Sequence, residues 1–198
     1  MRSTLILPLL FAISSLFGQN KIQWSEDYKL KLSDFQSPSS QIGEIDMYSI
    51  RTGSSFDFEF SMSGYEFMFT KNFNDKVDSY FSRNAAILVA PDSSFANDLL
   101  SFAQYEFDLS ELYARKLRKK LYENKGAFSS YDFFREYFEE VQNEYVQRYT
   151  QTGKETDLGR DKGKLTELHN KVMEEIHELS EYCKTCKPAK KKRKKENK

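Results

Sequence analysis

Two histidines, two cysteines and one charged helical stretch are the side chains whose types and spacing could do chemistry in this chain. His169 and His177 are its whole histidine complement. They stand eight apart in "HNKVMEEIHELSE", about 12 Å along one helix at 1.5 Å per residue, too far to share a metal ion. Each is expected as a surface imidazole on a Glu-rich helix. Cys183 and Cys186 form "CKTC". Two thiols fall short of the four ligands of a structural zinc site, and a helix before them with a Lys-rich run after them is the wrong setting for a redox motif. A short-loop disulfide is the expectation. Glu111 and Arg115 are four apart in the favourable order, a pair worth about 0.2–0.5 kcal/mol if exposed. The chain has no Gly-x-Ser-x-Gly elbow, Walker loop or dinucleotide fingerprint. A Ser-His-Asp site is recognised by geometry, and two helical histidines offer it little.

The ends of the chain are unlike its middle. Arg2 precedes an apolar run from Thr4 to Phe17, followed by "GQNK". A basic start, an apolar stretch of about 14 residues and a small residue at Gly18 predict a secretory signal peptide over residues 1–18. A buried core helix or an uncleaved anchor is the plainer alternative, but the run is short of the about 20 residues a membrane span needs. Export places the protein in the cell envelope or beyond, secreted or periplasmic. Net charge is zero over 198 residues, yet residues 187–198 hold eight Lys and Arg against one Glu. This basic run, with Lys190, Lys191, Lys192, Arg193, Lys194 and Lys195 at its centre, has little apolar surface to bury and is expected as a disordered tail. It is either simply solvated or drawn to an anionic surface such as lipid headgroups, acidic polysaccharide or nucleic acid.

The elements that must position these groups follow from periodicity. Trp24, Leu30, Leu32 and Phe35 are apolar anchors in a polar stretch that ends in the loop "SPSSQIG". Phe56, Phe58, Phe60 and Met62 alternate with polar residues, as do Tyr65, Phe67 and Phe69, which predicts two half-buried strands joined by a hairpin turn at Ser63-Gly64. "AAILVAP" is a buried strand or the lead-in to a helix. "DSS" at 92–94 offers caps for a helix that should run to about Asn124, with Asp98 suited to its first turn. A second helix is expected from Ser129, with Ser129 and Asp132 spaced as a capping box. Its aromatic face is Phe134, Tyr137, Phe138, Val141 and Tyr145. "TQTGKETDLGRDKG", 150–163, reads as a loop, and Leu165 to Leu179 as a last amphipathic helix ending near Tyr182. Strands first and then three main helices predict an α+β fold: an N-terminal antiparallel sheet and one domain over residues 19–186.

One stretch carries a resemblance. In "LLSFAQYEFDLSELYARKLRKKL", residues Leu99, Leu100, Gln104, Phe107, Asp108, Glu111, Tyr113, Ala114, Arg115, Leu117 and Arg118 resemble the zinc helix of a family of secreted bacterial zincin-like metallopeptidases. That helix has the form Leu-Leu-small-His-Glu-Gln-x-His-Phe-Asp, followed by Glu-x-x-Ala-Arg-x-x-Arg. The spacing has a physical reason: residues four apart share a helix face, so two imidazoles meet one Zn²⁺, and the Glu beside the first acts as base on the metal-bound water. Here Phe102 and Glu106 hold the ligand positions and Ala103 that of the base. Downstream, Glu155, Thr156, Asp157 and Gly159 are similar to a family loop that supplies a further histidine, and Leu158 stands in its place. Trp24, Leu32, Asp34 and Phe35 echo the family's N-terminal segment.

The resemblance implies a zincin-like fold whose metal centre is vestigial at Phe102, Ala103, Glu106 and Leu158. Phe102 has no lone pair, Ala103 takes no proton, and one carboxylate is not a site. Asp108, Glu111 and Arg115 are then retained for structure, and the closed site needs no cofactor. The expected function is non-catalytic: an exported pseudopeptidase that binds or stabilises an envelope partner. A metal-independent hydrolase, or an envelope protein acting through its basic tail, are the alternatives.

Overall fold

A computed structural model describes residues 20–59, 61–126, 128–130 and 132–189. The expected signal peptide, Phe60 and the basic side chains Lys190 to Lys195 lie outside the described residues. The fold is α+β, two three-stranded sheets followed by three main helices. In the first sheet β5 (Val77–Ser82) is central, antiparallel to both β1 (Lys21–Gln23) and β4 (Ser54–Phe58). Its alternation is clean: Val77, Ser79 and Phe81 are buried, and Asp78, Tyr80 and Ser82 are only half-buried. In the second sheet β6 (Ile87–Ala90) is central, parallel to β2 (Gln41–Ile42) and antiparallel to β3 (Ser49–Arg51). "AAILVAP" is thus a buried strand.

The hairpin expected at Ser63-Gly64 is a helix instead. Residues Gly64–Phe69 form α1, with Ser63 as its N-cap accepting from the Glu66 amide at 3.2 Å. Only Phe67 of this helix is buried, against Phe73 and Phe133. Tyr65, Phe67 and Phe69 alternate, but Met68 between them is also apolar, so the stretch fits a helix as well as a strand.

Helix α2 (Ser93–Asn124) organises the molecule. Asp92 caps it, accepting from the Ser94 and Phe95 amides. Its 32 residues span about 48 Å, and side chains three and four apart divide between two cores. Ala96, Leu99, Ala103 and Phe107 join Phe81, Leu88 and Ala90 from the strands. Phe102, Tyr105, Leu109, Leu112 and Leu117 join Phe56 of β4 and residues of the two later helices. Those are α3 (Phe134–Glu155) and α4 (Lys162–Glu178). α3 starts at Phe134 rather than Ser129, whose hydroxyl accepts from the Gly126 amide and so serves the preceding turn. It also runs through the first part of the expected 150–163 loop, which leaves a turn of only six residues before α4. A 3-10 turn, Ser180–Tyr182, leads to the Cys183–Cys186 disulfide. No helix among the described residues is long and apolar enough to cross a membrane.

Candidate functional site

Of the four positions singled out as a vestigial metal site, Phe102, Ala103 and Glu106 on α2 are buried and Leu158, in the turn after α3, is half-buried. Phe102 lies flat against Tyr105, centroids 6.1 Å apart, and tilted against Tyr149 at 5.6 Å. Two glycines make room for its ring. A Cβ on Gly153 of α3 would stand 3.3 Å from both Phe102 Cζ and Leu158 Cδ2. Gly159 has φ +98°, and a Cβ there would stand 2.3 Å from the Asp98 carbonyl oxygen and 3.3 Å from Phe102 Cβ. Glycine alone suits that conformation and that approach.

Leu158 meets Phe102 at the seam between α2 and the end of α3. It sits in a turn where Asp157, Leu158 and Gly159 have φ values of 48°, 52° and 98°. A left-handed Leu costs about 1–2 kcal/mol, and the turn offsets that with hydrogen bonds. The Leu158 amide donates to the Gly153 carbonyl at 2.9 Å, Tyr48 Oη donates to the Leu158 carbonyl at 2.9 Å, and the Asp161 amide donates to the Thr156 carbonyl at 2.9 Å. Ala103 points from α2 into the other core, against Leu99 and Phe107, and Leu158 packs there as well. Phe102, Tyr149, Gly153, Lys154 and Leu158 leave only a dimple of about 300 Å³ at the surface.

Glu106, one helical turn beyond Phe102, is held differently. Tyr145 Oη donates to its Oε1 at 2.8 Å, and the Thr52 hydroxyl donates to Oε2. Burial pushes the Glu106 carboxyl up to about 7, opposed by the two hydroxyl donors. Tyr145 in turn is pushed well above the ordinary phenol value, first by its own burial and then by the Glu106 carboxyl. Tyr149, stacked on Tyr145 at 6.4 Å, is pushed up to about 12 by burial and the same carboxyl. The chain Phe102–Tyr149–Tyr145–Glu106 links two of the singled-out positions through aromatic rings. Among the described residues no three His, Cys, Asp or Glu side chains lie close enough together to hold a metal ion.

The residues assigned to structure form two buried polar clusters. Asp108 Oδ1 accepts from Trp24 Nε1 at 2.8 Å, and its Oδ2 accepts from Gln104 Nε2 at 3.0 Å and lies 2.7 Å from His169 Nε2. Gln104 Oε1 in turn accepts from the Leu30 amide at 2.8 Å. Asp108 and Gln104 therefore fasten the N-terminal segment and α4 to α2. His169 is not the surface imidazole expected, being half-buried against Asp108. His177 is at the surface, 61 % exposed and 3.4 Å from Glu26.

The Glu111–Arg115 pair is not an exposed one. Both are buried, and fully buried Arg118 joins them. Arg118 donates to Glu111, to the Val77 carbonyl and to the Tyr182 carbonyl, so every N–H of its guanidinium has an acceptor. Arg115 donates to Glu111 at 2.9 Å and to the Ile176 carbonyl at 2.7 Å. One carboxylate and two guanidiniums thus join α2 to β5, α4 and the final turn.

Sequence reasoning missed Thr52 and Tyr145 as partners of Glu106. A tyrosine at the end of a stripe of Phe residues was the available signal, since a buried phenol needs a hydrogen-bond partner. Nothing near Thr52 in the sequence marks it. Compared with protein-family models, curated proteins and solved structures, the chain matches none.

Proposed function

We propose that this chain is a non-catalytic, zincin-like protein, exported to the cell envelope or beyond, that acts by binding rather than by hydrolysis. The observation that carries the reading is the state of the two ligand positions on α2. The Phe102 ring occupies the seam against Tyr149, Gly153 and Leu158, and the Glu106 carboxyl is engaged by Tyr145 and Thr52. A metal centre needs convergent lone pairs and an open coordination position; packing and internal hydrogen bonds fill that place. The positions that match the family pattern support the same reading from the other side. Gln104, Asp108, Arg115 and Arg118 each join α2 to a distant segment, and Glu111 holds the two arginines, work that outlasts the loss of catalysis. The apolar dimple at Phe102, Tyr149 and Leu158 is the part of the old cleft left to receive a partner's side chain.

A peptidase assay tests this. The purified chain is incubated with a mixture of quenched peptides, with added zinc and with chelator. The expected result is no cleavage above buffer in either condition. Cleavage that chelator abolishes would overturn the reading in favour of a working metallopeptidase. Cleavage that survives chelator and is lost in a Glu106→Gln variant would overturn it in favour of a metal-independent hydrolase.

A further inference from the structure

A recess of about 360 Å³ opens where α2, α3 and α4 meet. It shares no lining residue with the dimple at Phe102. Its size falls within the about 300–1,000 Å³ of small-molecule sites. Tyr113 of α2, buried, and Leu168 of α4, half-buried, are its apolar lining. The rest comes from α3, where residues from Glu144 to Glu155 recur at the three- and four-residue spacing that puts side chains on one face.

Hydrogen-bond donors gather at the base. Thr152 is buried, and its hydroxyl shares a 2.8 Å hydrogen bond with the fully buried phenol of Tyr105. The Arg148 guanidinium faces the phenols of both Tyr105 and Tyr113: burial raises the two, and Arg148 works against that rise. Acceptors gather at the rim. Gln147, Gln151 and Glu155 are exposed there, and Glu144 is half-buried. Gln151 Nε2 donates to Glu155 Oε1 at 2.7 Å, which fixes the two side chains against each other and leaves Gln151 Oε1 and Glu155 Oε2 as open acceptors among the described residues.

The charges sort the ligand classes. Arg148 is already engaged by Glu175 at 2.7 Å, and Glu175 also holds Lys116 at 3.2 Å. A carboxylate or phosphate entering the recess would meet Glu175 beside Arg148 and the Glu144 and Glu155 carboxylates on the way in. An ammonium has three donors and no acceptor, so it would leave the donors at the base unmatched. An apolar molecule would strip water from all of these groups and pair with none. A hydroxyl donates once and accepts twice, so a ring of closely spaced hydroxyls matches donors below and acceptors above.

We infer that this recess binds a neutral pyranose unit of a glycan. Its hydroxyls accept from Arg148 and Thr152 and donate to Glu144, Glu155 and the Gln151 amide oxygen, and its C–H face rests on Tyr113 and Leu168. The inference goes beyond the reading of the chain as non-catalytic and uses none of the residues that carry it.

The test is a heteronuclear NMR titration of the labelled protein with glucose, galactose, mannose and N-acetylglucosamine in turn, and with glucuronic acid and the diamine cadaverine as charged counterparts. The expected result is saturable shifts of the Gln147 and Gln151 side-chain amides and the Thr152 backbone amide with at least one neutral sugar, and none with either charged probe at the same concentration. Gln147→Ala with Gln151→Ala, both at exposed positions that leave the circular dichroism spectrum unaltered, should weaken the binding read at Thr152 about tenfold. Lys154→Ala, at the dimple, should leave it unchanged. No shift of these signals with any of the four sugars, shifts from glucuronic acid or cadaverine as large as those from a sugar, or sugar binding indifferent to the paired Gln substitutions would each overturn the inference.

Discussion

Replacing Glu106 with Gln should remove a specific pH dependence from the stability of this protein. In the folded chain burial lifts the Glu106 carboxyl from its ordinary 4.5 to about 7. Between those two values the folded state holds a proton that the unfolded state has released. Stability therefore falls as pH rises through this window. The contribution is fully present below about pH 4.5 and lost above about pH 7. A displacement of this size corresponds to about 3 kcal/mol at 1.36 kcal/mol per unit. The group is buried, so solvent screening takes little from that figure. Gln keeps the shape, its amide oxygen can accept from Tyr145 or Thr52, and it does not titrate. Urea unfolding of both proteins from about pH 4.5 to about pH 8, followed by circular dichroism, measures the effect. All other titrating groups are common to the two, so the difference between the curves is the quantity read. It should grow by about 3 kcal/mol in favour of the Gln variant as pH rises. Parallel curves would refute the account of Glu106 as a desolvated packing group. A difference of opposite sign would do so more sharply, since it would mean that the ionised carboxyl is the stabilised form, as for a group paired with a cation.

Other outcomes follow from the same structure. Arg118→Met should cost about 3–5 kcal/mol in urea unfolding, because Glu111 loses one of its two guanidiniums and the Val77 and Tyr182 carbonyls lose their donor. Gly159→Ala should destabilise by about 2 kcal/mol or more, read as a lowered unfolding midpoint, since its Cβ would run into the Asp98 carbonyl and its φ is left-handed. Phe102→His combined with Glu106→His and Leu158→His should confer zinc binding, measured by titration calorimetry; a folded triple variant that binds none would count against the zincin reading.

Much of the fold was legible because local signals and burial agree in it. The Asp92 cap and the threefold and fourfold spacing from Ala96 to Leu117 specify α2, and the run at 87–90 specifies a buried strand. Where apolar residues fit two periods, the sequence misled. Tyr65, Phe67 and Phe69 alternate, yet Ser63 followed by Glu66 is a helix-capping pattern, and the capped helix is what forms. Gly153 reads as a loop residue, but α3 continues through it, because the space it leaves is taken by Phe102 and Leu158 from elsewhere in the chain. The candidate site was legible only as positions on one helix. Its partners Thr52, Tyr145 and Tyr149 come from the residue after β3 and from α3, at separations no local pattern spans. The exposure of the Glu111–Arg115 pair was open in the sequence for the same reason: it is buried in a cluster in which Arg118 reaches the Val77 and Tyr182 carbonyls and Arg115 the Ile176 carbonyl, all distant in sequence.

The central claim is that packing stands where a metal centre would be. It is tested most directly by the zinc content of the protein as isolated from its native compartment, measured by mass spectrometry against protein concentration and repeated on a Glu106→Ala variant. The account predicts a ratio near zero in both. One zinc per chain in the native protein, lost when Glu106 is replaced, would contradict it.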